Sequence, residues 1–147
     1  MRAHVDFLTN RIDGKNDDVR IRHFDLYSLI LDALRERNYL DKVMETEKAK
    51  GSSAIINPLK RTLRLTESGD LVIQKMVEDI IPGKDVIFIT GVGKAWPIIR
   101  SHTILNNLHS RIEKNPLVMF FPGEYTSELK LFGEITDDNY YRAFKLI

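Results

Sequence analysis

Four consecutive apolar residues, Val86-Ile87-Phe88-Ile89, stand between Pro82-Gly83 and Gly91-Val92-Gly93, and a strand built from them has no polar side to show to water. Such a strand has to be covered on both faces, which is the situation of a central parallel strand between helices. Leu117-Val118-Met119-Phe120-Phe121, bounded by Pro116 and Pro122-Gly123, repeats the pattern. Between the two runs, residues 97–111 read as helix, with Pro97 at a favourable first-turn position. Strand, helix and strand in that order predict a βαβ unit with a right-handed crossover. The fold class expected is therefore α/β, a layered domain with a mainly parallel sheet flanked by helices.

The remaining segments fit that class. Val5, Leu8 and Ile12 share one helical face, with Gly14 as a stop. Val19 and Ile21 alternate with Arg20 and Arg22, predicting a strand ahead of Asp25. Asp25 reads as the N-cap of a helix whose apolar stripe is Leu26, Leu29, Ile30, Ala33 and Leu34. Leu40, Val43 and Met44 open a second helix. Ile55, Ile56, Leu59 and Leu63 mark a third after Ser52-Ser53, with Pro58 in its first turn or kinking it. Ile73, Met76, Val77, Ile80 and Ile81 predict a helix ending at Pro82-Gly83. Residues 121–125 read as a loop, and Leu129 and Leu131 flank Lys130 as in an edge strand. The last stretch, from Tyr140 through Phe144 to Ile147, reads as a final strand or a short helix packed on the sheet.

Composition narrows the chemistry. The 147 residues contain no cysteine, which excludes Cys-ligated zinc, Cys-ligated iron-sulfur clusters, a thiol nucleophile and a disulfide scaffold, and fits a reducing compartment. No apolar run approaches a membrane span, and Arg2, His4 and Asp6 stand where a signal peptide needs apolar residues, so a cytoplasmic setting without a membrane partner is expected. With no repeat and no linker-like stretch, residues 1–147 are read as one domain. The formal net charge of +1 argues against bulk binding to nucleic acid, although a local patch could still do it. Lys60, Arg61 and Arg64 form a small basic cluster, which is more often a solvated helix face than a nucleic-acid contact.

The most suggestive local feature is Gly91-Val92-Gly93-Lys94, a glycine-rich turn between a buried strand and a helix, where α/β folds bind ligands. The phosphate-binding pattern G-x-x-x-x-G-K-[S/T] is broken, because Phe88 stands where its first glycine belongs and Ala95 where its hydroxyl belongs. An unusual anion site and a tight structural turn with Trp96 as a packed anchor both remain open. The following helix is polar: Arg100, Thr103 and Asn107 share one face, while His102, Asn106 and His109 share another. Two histidines without an acidic partner make a poor metal site, so neither a metal nor another cofactor is expected. Glu124, after the second apolar run, can reach the same sheet edge as Gly91 and pair with Lys94 or Arg100. Gly91, Gly93, Lys94, Arg100, Asn107 and Glu124 are thus the candidate anion-binding or partner-binding residues. No acid/base dyad and no nucleophile with a partner stands out, so no catalytic residue is assigned and the chain is expected not to be an enzyme. Asp137, Asp138 and Asn139 fit a turn.

Four blocks carry a further reading: residues 86–94, residues 97–108, Met119 to Tyr125, and Leu131-Phe132-Gly133 with Asp137 to Phe144. In this order they resemble the BrxB family, a small component of the BREX bacteriophage-exclusion systems, over residues 19–147. The resemblance implies a role in phage defence beside an ATPase, a PglZ-type phosphatase-like protein and a DNA methyltransferase. It supplies no catalytic residue, and it implies a further segment in front of the part matched here. The function expected is a non-enzymatic one: docking the PglZ-type protein and the BREX ATPase into a complex, with no direct contact to nucleic acid. The alternative is a degenerate nucleotide- or phosphate-binding domain that does not hydrolyse its ligand.

Overall fold

The computed structural model describes residues 2–13, 18–65, 69–125, 129–136 and 144–146. The Asp137 to Ala143 part of the fourth resemblance block lies outside them, as do Gly14 and most of the final stretch. Helix α1 (Arg2–Asp13) leads into β1 (Arg20–Asp25), and four helices follow: α2 (Leu26–Glu36), α3 (Leu40–Lys50), α4 (Ser53–Thr62) and α5 (Leu71–Val77). Next come β2 (Asp85–Thr90), α6 (Val92–Ala95), α7 (Ser101–His109) and β3 (Leu117–Met119). The last described elements are three short strands, β4 (Gly123–Tyr125), β5 (Leu129–Leu131) and β6 (Ile135–Thr136).

The parallel core of the fold is as the apolar runs predict. Strands β1, β2 and β3 form one sheet in that order, both pairings are parallel, and β2 is central. Alternation along β2 sends Ile87 and Ile89 into one core and Phe88 into another. On the first face Ile87 and Ile89 meet Leu26, Ile30, Leu34, Leu59, Met76 and Leu108 from the helices. On the other face α1 covers the sheet, with Val5 against Ile21 and Phe88, and Phe120 meets Phe88 edge-on at 5.3 Å. This is an α/β layered domain. Asp25 caps α2 as expected, its Oδ1 accepting from the Ser28 amide at 3.0 Å.

Several local expectations differ. The helix after Pro97 starts only at Ser101, because α6 closes first and Pro97 falls in the turn between them. The helix from Ile73 stops at Val77, so Ile80 and Ile81 lie in the connection to β2. Of the two places expected for Pro58, the structure takes the interior of α4 and not its first turn. The second apolar run is shorter than expected: β3 spans three half-buried residues and, among the described residues, pairs only with β2, at the edge of the sheet. Residues 123–125 form strand β4 instead of a loop, and Leu129–Leu131 is the middle strand of a second, antiparallel sheet, β4-β5-β6. Such short strands take their pairing from the turns and the partner surface and leave almost no periodic signal.

At the opposite end of the parallel sheet, Arg20 and Asp85 are paired in register at the starts of β1 and β2. The guanidinium grips the carboxylate twice, Nε to Oδ1 at 2.8 Å and Nη2 to Oδ2 at 2.7 Å. The Asp85 side chain is fully buried and also accepts from the Ile81 amide. Asn115 closes the corner by donating to the carbonyls of Ile81 and Asp85.

Candidate functional site

Parallel strands end on one side, and in open α/β sheets ligands gather at those carboxyl ends. Here β1 ends at Asp25 and β2 at Thr90, adjacent in register. Gly91 follows with φ +76° and caps α6, its carbonyl accepting from the amides of Lys94 and Ala95. Only glycine adopts that left-handed conformation at low cost. A Cβ at Gly91 would also lie 2.7 Å from Asp25 Oδ1, so the bare glycine lets the α2 cap and the α6 turn pack together.

Gly93 is bare for a different reason. A Cβ there would come within 2.7 Å of the Phe132 ring and 3.1 Å of Pro122. Phe132 stands at the tip of the β5-β6 hairpin, where it and Gly133 have φ of 54° and 78°, the two positive values a type I′ turn needs. For a bulky residue that backbone is costly. The second sheet therefore reaches over the turn and lays an aromatic ring on the spot where a phosphate-binding loop keeps its glycine backbone open.

Lys94 has Asp25, not Glu124, as its acidic neighbour, with Nζ 4.0 Å from Oδ2. Glu124 sits on β4 opposite Lys130 and is exposed. Arg100 is exposed at the start of α7, without a side-chain cap on that helix. Asn107 points elsewhere, to Asp70 at the start of α5, with 3.4 Å between Nδ2 and Oδ2. Of the six candidates, Gly91, Gly93 and Lys94 share one turn, while Asn107 bonds to Asp70 and Glu124 lies across from Lys130 in the second sheet. Burial raises the Asp70 carboxyl above its ordinary value, opposed by the amides of Ile73 and Val72, by Asn107 and by the charge of Arg111.

Sequence reading missed His23, Tyr27 and Phe132 at this edge, and it read Trp96 as a packed anchor where more than a third of the residue is exposed. His23 Nε2 lies 2.8 Å from Thr90 Oγ1, beside Asp25. The signal is latent in the sequence: Asp25 and Thr90 close two runs of strand-forming residues, but only the parallel register brings them together. Tyr27 in the first turn of α2 and Trp96 after α6 are 38% and 37% exposed, and Phe132 is 59% exposed. The described residues hold no group of three His, Asp or Glu able to bind a metal, and no helix among them is long and apolar enough to cross a membrane. A cleft of about 540 Å³ opens between α2 and α5, with the Glu36–Lys75 ion pair on its wall, and none of the six candidates lines it.

Replacing Gly91 by alanine is expected to cost about 2 kcal/mol, combining left-handed strain with displacement of the Asp25 cap. Gly83→Ala, at φ +73° with nothing within 4 Å of the new Cβ, isolates the strain alone and should cost about 1 kcal/mol. Urea midpoints of the two variants measure the difference, and equal losses would mean that Asp25 plays no part.

The sequence comparisons agree with one another. A family profile described as BREX protein BrxB matches residues 22–146. A curated relative from Bacillus cereus (strain H3081.97), named BREX protein BrxB, is 53% identical over 149 aligned positions, covering all of this chain and 76% of the relative. A second of the same name, from Escherichia coli O9:H4 (strain HS), is 28% identical over 148 positions, covering all of this chain and 71% of the relative. No solved structure matches. A profile match over nearly the whole chain, joined by a relative more than half identical along all of it, places the chain in the BrxB family of BREX proteins.

Proposed function

We propose that this chain is a non-enzymatic component of a BREX-type phage defence system, docking its PglZ-type phosphatase-like protein and its ATPase into one complex. The observation that carries this reading is the Phe132 ring over Gly93. A phosphate needs that backbone open and a cation free to meet it, whereas the ring covers the glycine and Lys94 leans toward the Asp25 carboxylate. What the surroundings of this turn offer instead is exposed aromatic surface, Trp96 directly after α6, Phe132 against Gly93 and Tyr27 in the first turn of α2, with Lys94 in α6. Exposed Trp, Tyr and Arg are the residue types on which protein interfaces concentrate their binding energy.

Thermal-shift titration with ATP tests the reading against its nucleotide-binding alternative. The melting midpoint is expected to stay unchanged at millimolar ATP. A saturable rise that Lys94→Ala abolishes would transfer the site to nucleotide binding.

A further inference from the structure

A second surface, on α4, has a different chemistry. Between Gly51 and Leu65 the chain carries Lys60, Arg61 and Arg64 and no Asp or Glu. Helix α4 buries Ile55 and Leu59, and Leu63 follows them into the core, so the cations fall on the side away from it. Arg61 and Arg64 are exposed and Lys60 is half-buried. None of the three has an ion-pair partner among the described residues.

The patch continues past the end of the helix. The Arg64 guanidinium lies beside Gly69, 3.4 Å from where a Cβ would stand. The carboxylate of the next residue, Asp70, is 4% exposed and turned inward, accepting from the amides of Val72 and Ile73. Arg111, just past α7, is exposed and acts on the same carboxylate. Arg61, Arg64 and Arg111 are thus exposed, while Asp70, the acidic residue at the start of α5, is withdrawn; Glu67 lies outside the described residues.

No large exposed hydrophobic side chain lies on α4 or α5. A protein partner normally docks around a buried aromatic or aliphatic anchor, whereas a phosphate backbone asks only for cations and polar donors. We propose that Lys60, Arg61 and Arg64, with Arg111 at the margin, bind the phosphate backbone of a nucleic acid. The expectation of no nucleic-acid contact rests on the whole-chain charge of +1, which averages this face with acidic surface elsewhere. The contact is sequence-independent and salt-sensitive, and it stands whether or not the aromatic edge docks protein.

Fluorescence anisotropy with a labelled 30-bp DNA duplex and a 30-nucleotide single strand, run from low to moderate KCl, tests the proposal. Binding is expected for at least one probe, with log K falling against log salt at a slope of about −3 for three or four phosphate contacts. Combined Lys60→Gln, Arg61→Gln and Arg64→Gln should weaken it at least about tenfold at low salt, and Arg61→Gln alone should flatten the slope by about 1. Lys84→Gln with Lys130→Gln, removing charge elsewhere, should leave the affinity within about twofold. Melting midpoints confirm that the variants are folded. Absence of binding to both probes, or equal affinity of the triple and control variants, overturns the proposal. Loss of protein partners by the triple variant without nucleic-acid binding by the wild type also overturns it, and would assign the face to an acidic protein.

Discussion

Replacing Asp85 by alanine is expected to cost about 3–4 kcal/mol, the largest loss of stability expected from a single polar substitution among the described residues. Its carboxylate is fully buried and takes three donors: Nε and Nη2 of Arg20 and the Ile81 amide. Removing it strands a guanidinium and an amide in the corner where β1 and β2 begin. Arg20 recovers part of the loss through water, since its side chain is 37% exposed, and through the Asp79 carbonyl 2.9 Å away. The pair also sets an acid limb. Arg20 holds the Asp85 carboxyl below its ordinary value, so the folded state binds that proton more weakly than the unfolded state does. The stabilisation is complete above about pH 4 and is lost as pH falls through the folded value. Asp70 acts in the opposite sense: its raised carboxyl favours the folded state at low pH, and that contribution fades as pH rises past about 4. Urea unfolding as a function of pH should therefore show wild-type stability falling on acidification, with a flatter profile for Asp85→Asn. A loss below about 1 kcal/mol for Asp85→Ala would mean that the buried pair does little to hold the strands together.

The parallel half of the molecule was legible because its determinants are local or periodic. Val86 to Ile89 has no polar side and so had to be the central strand. Asp25 stands just before an apolar stripe and caps it, and Val5, Leu8 and Ile12 share the face that covers the sheet. Of the second sheet only the strand at Leu129 and Leu131 was legible, because strands of two or three residues carry almost no period, and the sheet's decisive element is a phenylalanine in a left-handed turn. The site divided in the same way. Glycines at 91 and 93 announced a close approach, but sequence could not say that Asp25 and Phe132 are what approach. Lys94 and Glu124 offered opposite charges, yet the register sets Glu124 across from Lys130 and leaves Asp25 nearest to Lys94.

The second large effect concerns docking. Trp96 and Phe132 are exposed aromatics at the carboxyl ends of the parallel strands, and Phe132 is held out in a backbone conformation that its side chain disfavours. If they anchor the partner, truncating each to alanine should cost about 2 kcal/mol of binding, roughly a 30-fold loss apiece. Neither ring belongs to the buried core, and melting midpoints of both variants check that the packing each ring makes is not needed for folding. Phe7→Ala is the matched control, because Phe7 is 53% exposed on α1, where it stacks with His4.

Co-purification with a tagged PglZ-type protein and the BREX ATPase, without added nucleotide, separates the outcomes. The wild-type chain and Phe7→Ala should be retained through gel filtration, while the Trp96→Ala, Phe132→Ala double variant should elute alone. Failure of the wild type to be retained, or retention of the double variant to the same extent, would contradict docking through this edge.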